Sequence, residues 1–419
     1  MTTEHVEALV IGAGQAGIAA SEHLGKAGIP HLVLERARIA ERWRSERWDS
    51  LVTNGPVWHD RFPGMEFPQT PPDGFAPKEE VAQYLSAYAS IIKAPIRTGV
   101  NVLQVSREPG RGGFLVRTTA GDWHADHVIA ATGPFQKPVI PPLAPEREGL
   151  TQLHSASYRN PAALPPGAVL VIGAGSSGVQ IAEDLVAAGR RVFLSVGPHD
   201  RPPRRYRGRD FVWWLGVLGK WDAAAPHAGT EHVTIAVSGA NGGHTIDFRR
   251  LAASGITLLG QAESLSGNIM QFKRDLAANI ARGDANYLAL LDEADAHAAA
   301  FGLDLPEDPE ARSFGPEPDC VTNPILSLDL VREGIHTILW ATGYVQDFAW
   351  IHLDILDERG RPKHQRGASP ERGLYFLGLP WQSRRGSSFL WGVWHDARHI
   401  VDLIAIQRSY RAYRPSAGQ

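Results

Sequence analysis

The chain has 419 residues, a length that builds two domains with separate cores, and 42 lysines and arginines against 45 aspartates and glutamates. That balance, a formal net charge of −3, excludes an extended nucleic-acid footprint or a polybasic membrane patch. Cys320 is the only cysteine, which excludes an intramolecular disulfide and a dithiol relay of the CxxC kind.

The longest apolar run, near 211–218, is too short for a bilayer span. The start of the chain shows neither a basic region nor a signal-type apolar segment, so a cytoplasmic protein is expected. No histidine stands at HExxH or paired-ligand spacing, and no metal is expected.

Residues 6–11 are an apolar run that reads as a buried parallel strand, and it ends in Gly12-Ala13-Gly14-Gln15-Ala16-Gly17. In that spacing Gly12 permits the tight turn. Gly14 lets a pyrophosphate approach the backbone, and Gly17 lets the helix pack on the strand. A helix over about 15–27, closed by Gly28, turns its N-terminal amides, Gln15 and Ala16 among them, toward the phosphates. A strand at 31–34 then delivers Glu35, 18 residues past Gly17, where a ribose-binding carboxylate belongs.

A polar and aromatic stretch with Arg42 and Trp43 follows, then a turn at Thr53-Asn54-Gly55-Pro56. Prolines 63, 68, 71, 72 and 77 make 62–77 an irregular, stiff loop, and 78–92 has helical spacing. Three short antiparallel strands are expected at 101–105, which holds Val102, at 113–118 and at 122–124. A further strand, 126–131, runs into Thr132-Gly133, and a proline-rich linker crosses to the second domain.

The pattern then repeats. Residues 169–172 lead into Gly173-Ala174-Gly175-Ser176-Ser177-Gly178, a helix to 188 and a strand over 191–194. Further strand is expected within 238–260, one or two helices over 276–299, a strand ending in Ala341-Thr342-Gly343, and a closing helix over 389–406. The fold class is α/β, with two Rossmann-like dinucleotide-binding domains, the second inserted into a discontinuous first. The expected boundaries are 1–145, 146–325 and 326–419. Two such sites in one chain point to a flavin and a nicotinamide used as a pair.

The second unit carries neutral Ser195 where the first carries Glu35, so neither NADPH nor NADH is excluded there. Arg201, Arg204, Arg205 and Arg207 follow closely, and arginine forks suit a 2′-phosphate, which favours NADPH. His199 and Arg201 are the candidates for that pocket, the alternative being a solvated basic loop. Asn54 offers an amide donor and acceptor beside a flavin, or it shapes an Asx turn. His154 is either a nicotinamide contact or a packing residue. Phe211, Trp213, Trp214 and Trp221 read as a buried amphipathic helix or as a substrate path, whereas Trp381, Phe389, Trp391 and Trp394 have the better claim to a substrate pocket.

Two GxGxxG units, an Ala-Thr-Gly after each half and His154…Tyr158 together resemble the flavin-containing monooxygenases, in the layout of bacterial and plant YUCCA-type members. The resemblance implies FAD on Gly12, Gly14, Gly17 and Glu35, with Arg42-Trp43 against the flavin and Thr53-Asn54 near its reactive face. It implies that Thr132-Gly133 closes over FAD and that a glycine-rich helix start, 386–392 with Ser387, approaches the ring. His154 and Tyr158 match the end of the family's FxGxxxHxxxY signature, whose phenylalanine and glycine fall on Glu148 and Leu150 here. Tyr158 stands where the Baeyer–Villiger subgroup has tryptophan. The implied activity is an NAD(P)H-consuming monooxygenase that forms a flavin C4a-hydroperoxide, with Asn54, His154 and Tyr158 in catalytic roles. Its implied partners are O2 and a small N-, S- or aromatic/indole-type substrate, with no nucleic acid or membrane, and a homodimer as the assembly. A flavin reductase or electron-transfer enzyme shares both fingerprints and is the alternative.

Overall fold

The computed structural model describes residues 4–225, except 109 and 111, and residues 234–414. The first half is a seven-stranded sheet. Its elements are β1 (Glu4–Ile11), α1 (Gln15–Lys26), β2 (His31–Glu35), α2 (Glu41–Ser45), α3 (Lys78–Ile91), β3 (Ile96–Thr98), β4 (Val102–Arg107), β5 (Phe114–Thr118) and β6 (Gly121–Ala130). The strand order is β3-β2-β1-β6-β5-β4. The segments expected as two strands, 122–124 and 126–131, are one strand. β6 runs parallel to β1 along its length, while its first residues also pair antiparallel with β5.

The second half adds β7 (Lys137–Pro138), β8 (Thr151–His154), β9 (Ala168–Ile172), α4 (Ser176–Ala187), β10 (Val192–Ser195), a hairpin of β11 (Arg205–Tyr206) and β12 (Arg209–Asp210), and α5 (Phe211–Val217). After these come α6 (Phe248–Ala253), β13 (Ile256–Leu259), β14 (Ala262–Ser266), β15 (Ile269–Phe272), α7 (Leu276–Phe301), α8 (Asp319–Thr322), β16 (Ser327–Asp329) and β17 (Ile335–Trp340). β18 (Tyr344–Val345), β19 (Leu374–Phe376) and α9 (Leu390–Ala412) complete the chain. The second sheet, β13-β10-β9-β17-β8, is parallel throughout and is covered by helices, which is why its strands are continuous apolar runs. Residues 238–260 are mostly loop plus α6 and β13, not continuous strand, and 276–299 is the single long helix α7.

Because β17 belongs to the second sheet, the chain returns to the first after Trp340, later than the expected 325/326 boundary. The two crossings, β7 and β18, pair antiparallel with each other. β19 then adds to β6 beyond the reach of β5. Finally α9 packs Val393, Ala397, Ile400 and Val401 into the core that holds Ile18, Ala19 and Leu24 of α1. The last helix thereby comes to stand over the first glycine turn.

Candidate functional site

β1 ends at Gly12, whose φ of +105° suits glycine; a Cβ there would lie 2.7 Å from the Ala131 carbonyl oxygen. A Cβ on Gly17 would lie 1.8 Å from the Gly12 carbonyl oxygen, so helix and turn touch backbone to backbone. At Gly14 a Cβ would meet nothing within 4 Å. This glycine borders a cavity of about 320 Å³ lined also by Gln15, Ala16, Glu35, Arg42, Trp43, Val102, Thr132 and Gly133.

The Glu35 carboxylate accepts the Ala13 N–H at 2.8 Å and the Ala37 N–H at 2.9 Å, which fixes it at the cavity wall. Arg36, Arg42 and Arg47 surround the same space. Burial, with the other two guanidiniums nearby, lowers Arg42 from the usual arginine value, while Glu46 opposes that shift. Gln15 joins the walls: it accepts from Trp43 Nε1 at 3.4 Å and donates to the Ser388 carbonyl at 3.0 Å. Among the described residues no protein acceptor is bonded to the Gln15 or Ala16 amides. An open glycine, free helix amides and three arginines to donate to phosphate, with a fixed carboxylate to accept from a ribose hydroxyl, suit a dinucleotide, so the residues present fit FAD.

The second unit repeats the turn without the opening. A Cβ on Gly173 would lie 2.5 Å from the Ala341 carbonyl oxygen, and one on Gly178 would lie 1.8 Å from that of Gly173. However, the Ser176 N–H donates to the Ile235 carbonyl at 2.7 Å, and the Ser176 hydroxyl donates to the same oxygen at 2.8 Å. Thr234 Cγ2 would be 3.2 Å from a Cβ on Gly175. The first amide of α4 is therefore satisfied by the chain itself. As it stands, this seat does not fit a pyrophosphate.

Residues 9–205 match the model of the pyridine nucleotide-disulphide oxidoreductase family. A CzcO-like oxidoreductase from Geobacillus kaustophilus is 33% identical over 404 residues, 95% of this chain and 98% of that protein. The chain belongs to the CzcO-like oxidoreductases. A probable indole-3-pyruvate monooxygenase, YUCCA1 of Arabidopsis thaliana, is 32% identical over 192 residues, 45% of this chain and 46% of its own. A flavin-containing monooxygenase from Stenotrophomonas maltophilia shares the fold with a TM-score of 0.65 at 21% identity, over 98% of this chain and all of that one. A bacillithiol disulfide reductase from Bacillus cereus does so with a TM-score of 0.61 at 16% identity. This chain is thus an oxidoreductase with a Rossmann-type fold, its first half matching a pyridine-nucleotide oxidoreductase model. Among its described residues, no helix is long and apolar enough to cross a membrane.

Several residues expected at the site of this CzcO-like chain are committed elsewhere. Arg201 is buried; its Nε and Nη2 bond Asp284 Oδ1, and its guanidinium lies over Tyr287 and Phe314. His199 is buried against Phe248 and Gly283, its Nδ1 on the Gly197 carbonyl, and burial lowers its pKa. These two residues therefore form a core contact with α7, not a 2′-phosphate pocket. Arg204 and Arg207 are likewise paired, with Asp210 and Asp295, so the basic loop is neither free nor simply solvated. Ser195 is buried, donating to the Gly260 carbonyl and accepting from the Ala262 amide.

Tyr158 is fully buried and donates to Asp184 Oδ2 of α4 at 2.6 Å; burial and that carboxylate push its pKa well above the usual tyrosine range. His154 donates from Nε2 to the Gly343 carbonyl and accepts the Ala156 amide at Nδ1. Both ring nitrogens are thus satisfied in the neutral form, which burial favours by lowering the pKa. Neither residue lines the cavity; His154 pins the domain crossing through Gly343 and Tyr344, and Tyr158 is anchored to α4 within the second unit. Thr342 serves the same crossing by donating to the Val139 carbonyl.

Thr53 accepts the Ala76 amide inside the core, and Ser387 is buried with its hydroxyl on the Ser383 and Arg384 amides. The cavity-lining serine is its neighbour Ser388. Asn54 lies between the two units: its Oδ1 accepts from Gln180 of α4 at 2.9 Å and its carbonyl accepts from Arg204 at 2.7 Å. Trp214 is fully buried in α5, as the amphipathic reading requires. The sequence reading missed Gln136, Asp347 and Trp350 in the cavity wall. Gln136 closely follows the Thr132-Gly133 turn and was within reach. Asp347 and Trp350 arrive only after the second sheet, with no local signal.

Proposed function

We propose that this chain is an FAD-dependent, NAD(P)H-consuming monooxygenase that transfers one oxygen atom to a small N-, S- or aromatic/indole-type substrate. Bound FAD would accept electrons from a pyridine nucleotide and pass them to dioxygen. The protein's part is to hold FAD on Gly14, the α1 amides and Glu35, to exclude water, and to orient the oxygen acceptor.

The carrying observation is the Asn54 turn. Gln180 takes Oδ1, which orients the amide, and among the described residues no acceptor takes Nδ2. Such a neutral donor can hold an oxygen atom without titrating. Asp60, accepting the Gly55 amide, ties this turn to His59. The His59 ring stacks on Trp221 at 5.3 Å and meets Trp391 edge-on at 4.8 Å. This apolar, aromatic wall beside the start of α9 suits an aromatic or alkyl acceptor better than a protein dithiol.

The test follows NADPH consumption by FAD-loaded protein with a panel of amines, sulfides and indoles under ¹⁸O2. Product carrying one labelled oxygen, with peroxide release below NADPH consumption, is expected. Stoichiometric peroxide with every acceptor would leave the reductase reading in its place.

A further inference from the structure

The two glycine turns have the same backbone form, yet only one helix N-terminus is open. In the second unit residues 234–238 lie as a strap over the start of α4. Ile235 gives its carbonyl to Ser176, Thr234 gives its carbonyl to the Asp200 amide, and the Ala236 amide donates to the Asp200 carbonyl at 2.8 Å. A helix N-terminus attracts oxygen because its amides lack partners and carry the positive end of the dipole. Here a peptide oxygen fills that role.

The strap does not end at the seat. Gln180, one turn into α4 and buried, donates from one amide nitrogen to the Val237 carbonyl at 2.7 Å and to Asn54 Oδ1 at 2.9 Å. Arg204 bridges the same two segments, reaching the Asn54 carbonyl at 2.7 Å and the Ser238 carbonyl at 3.3 Å. Gly239 then packs so closely on the Thr53 carbonyl that a Cβ would lie 2.1 Å from it. One short segment therefore touches both the nucleotide seat and the turn that carries Asn54.

We infer that the Ile235 carbonyl is a built-in occupant of the second unit's pyrophosphate seat, and that Gln180 is the positioning residue that latches this strap to Asn54. The inference rests on the reading of that unit as a pyridine-nucleotide site. A dinucleotide must displace the carbonyl, and its apparent affinity is reduced by the fraction of molecules in which the strap is open. Withdrawal of the strap loosens the Gln180 and Arg204 contacts with the Asn54 turn, so arrival of the nucleotide is felt at that turn without any direct contact.

The experiment uses the full-length, FAD-loaded protein with NADP⁺ as probe, read by calorimetric titration and by hydrogen–deuterium exchange over 234–238. In the wild type, saturating NADP⁺ is expected to speed exchange of this segment, since the Ala236 bond to Asp200 is lost. Gln180→Met keeps the side-chain volume and removes both bonds, of which only the one to Val237 holds the strap; it is expected to tighten NADP⁺ binding about two- to ten-fold, as loss of that one hydrogen bond allows. Binding with equal affinity in both proteins and with slower exchange over 234–238 would overturn the strap and keep the nucleotide site. No binding of NADP⁺ or NAD⁺ to either protein would overturn the nucleotide reading and the strap with it. The exchange measurement on the wild type stands even where the variant folds poorly.

Discussion

A single methyl group separates a binding role from a folding role in the first glycine turn. Gly14 has φ −84°, an ordinary value for any L-residue, and a Cβ there meets no protein atom within 4 Å. Gly14→Ala therefore changes the stability of the FAD-free protein by less than about 1 kcal/mol, with reduced unfolded-state entropy offsetting a slightly poorer helix cap. The methyl enters the cavity where the pyrophosphate would come, so FAD affinity is expected to fall at least about ten-fold, or 1.4 kcal/mol. Gly17→Ala reverses the pattern. Its Cβ would sit 1.8 Å from a backbone oxygen that cannot yield without moving the strand end, and a loss on the order of 3 kcal/mol is expected before any ligand is added. Thermal melts of both FAD-free variants, with FAD titrations followed by flavin fluorescence, separate the cases. Wild-type FAD affinity in Gly14→Ala would refute the placement of the cofactor in this cavity.

Tyr158→Phe removes a hydrogen bond to the Asp184 carboxylate, which keeps Ser50 as a partner. A loss of about 2 kcal/mol, seen as a melting temperature roughly 4–8 °C lower, is expected with kcat for NADPH oxidation unchanged. A hundred-fold drop in kcat at unchanged stability would restore the catalytic role. Arg201→Met leaves Asp284 with Arg249 as its remaining ion-pair partner; a stability loss of about 2 kcal/mol is expected, below the usual cost of breaking a buried pair. The ratio of kcat/KM for NADPH over NADH should not move, and a change in that ratio would return Arg201 to the nucleotide pocket. His127 is buried, and burial, aided by Arg411, lowers its pKa to about 4. The folded state thus holds it neutral while the unfolded chain takes a proton below about pH 6.5. Its contribution, present above that pH, is lost as pH falls toward about 4, a change on the order of 3 kcal/mol. His127→Phe should flatten the acid limb of the melting-temperature profile, and parallel profiles for wild type and variant would contradict the buried neutral state.

Local chemistry made the two nucleotide units legible without a structure. Gly12, Gly14 and Gly17 and their counterparts Gly173, Gly175 and Gly178 stand at spacings that only a strand–turn–helix with backbone contact requires. Continuous apolar runs such as 169–172 can be buried on both faces only in a covered parallel sheet. Glu35 was legible for the same reason, because its distance along the chain is set by one helix and one strand. The roles of Arg201, His199, Tyr158 and His154 were not. A charged or titratable side chain advertises a ligand only when its partner is far in sequence and unseen, and Asp284, Gly283, Asp184 and Gly343 are such partners. Two identical-looking glycine turns likewise say nothing about what covers them. Only the tertiary structure decided that one helix N-terminus opens into a cavity while the other takes the Ile235 carbonyl, because that oxygen arrives from a segment 59 residues away along the chain.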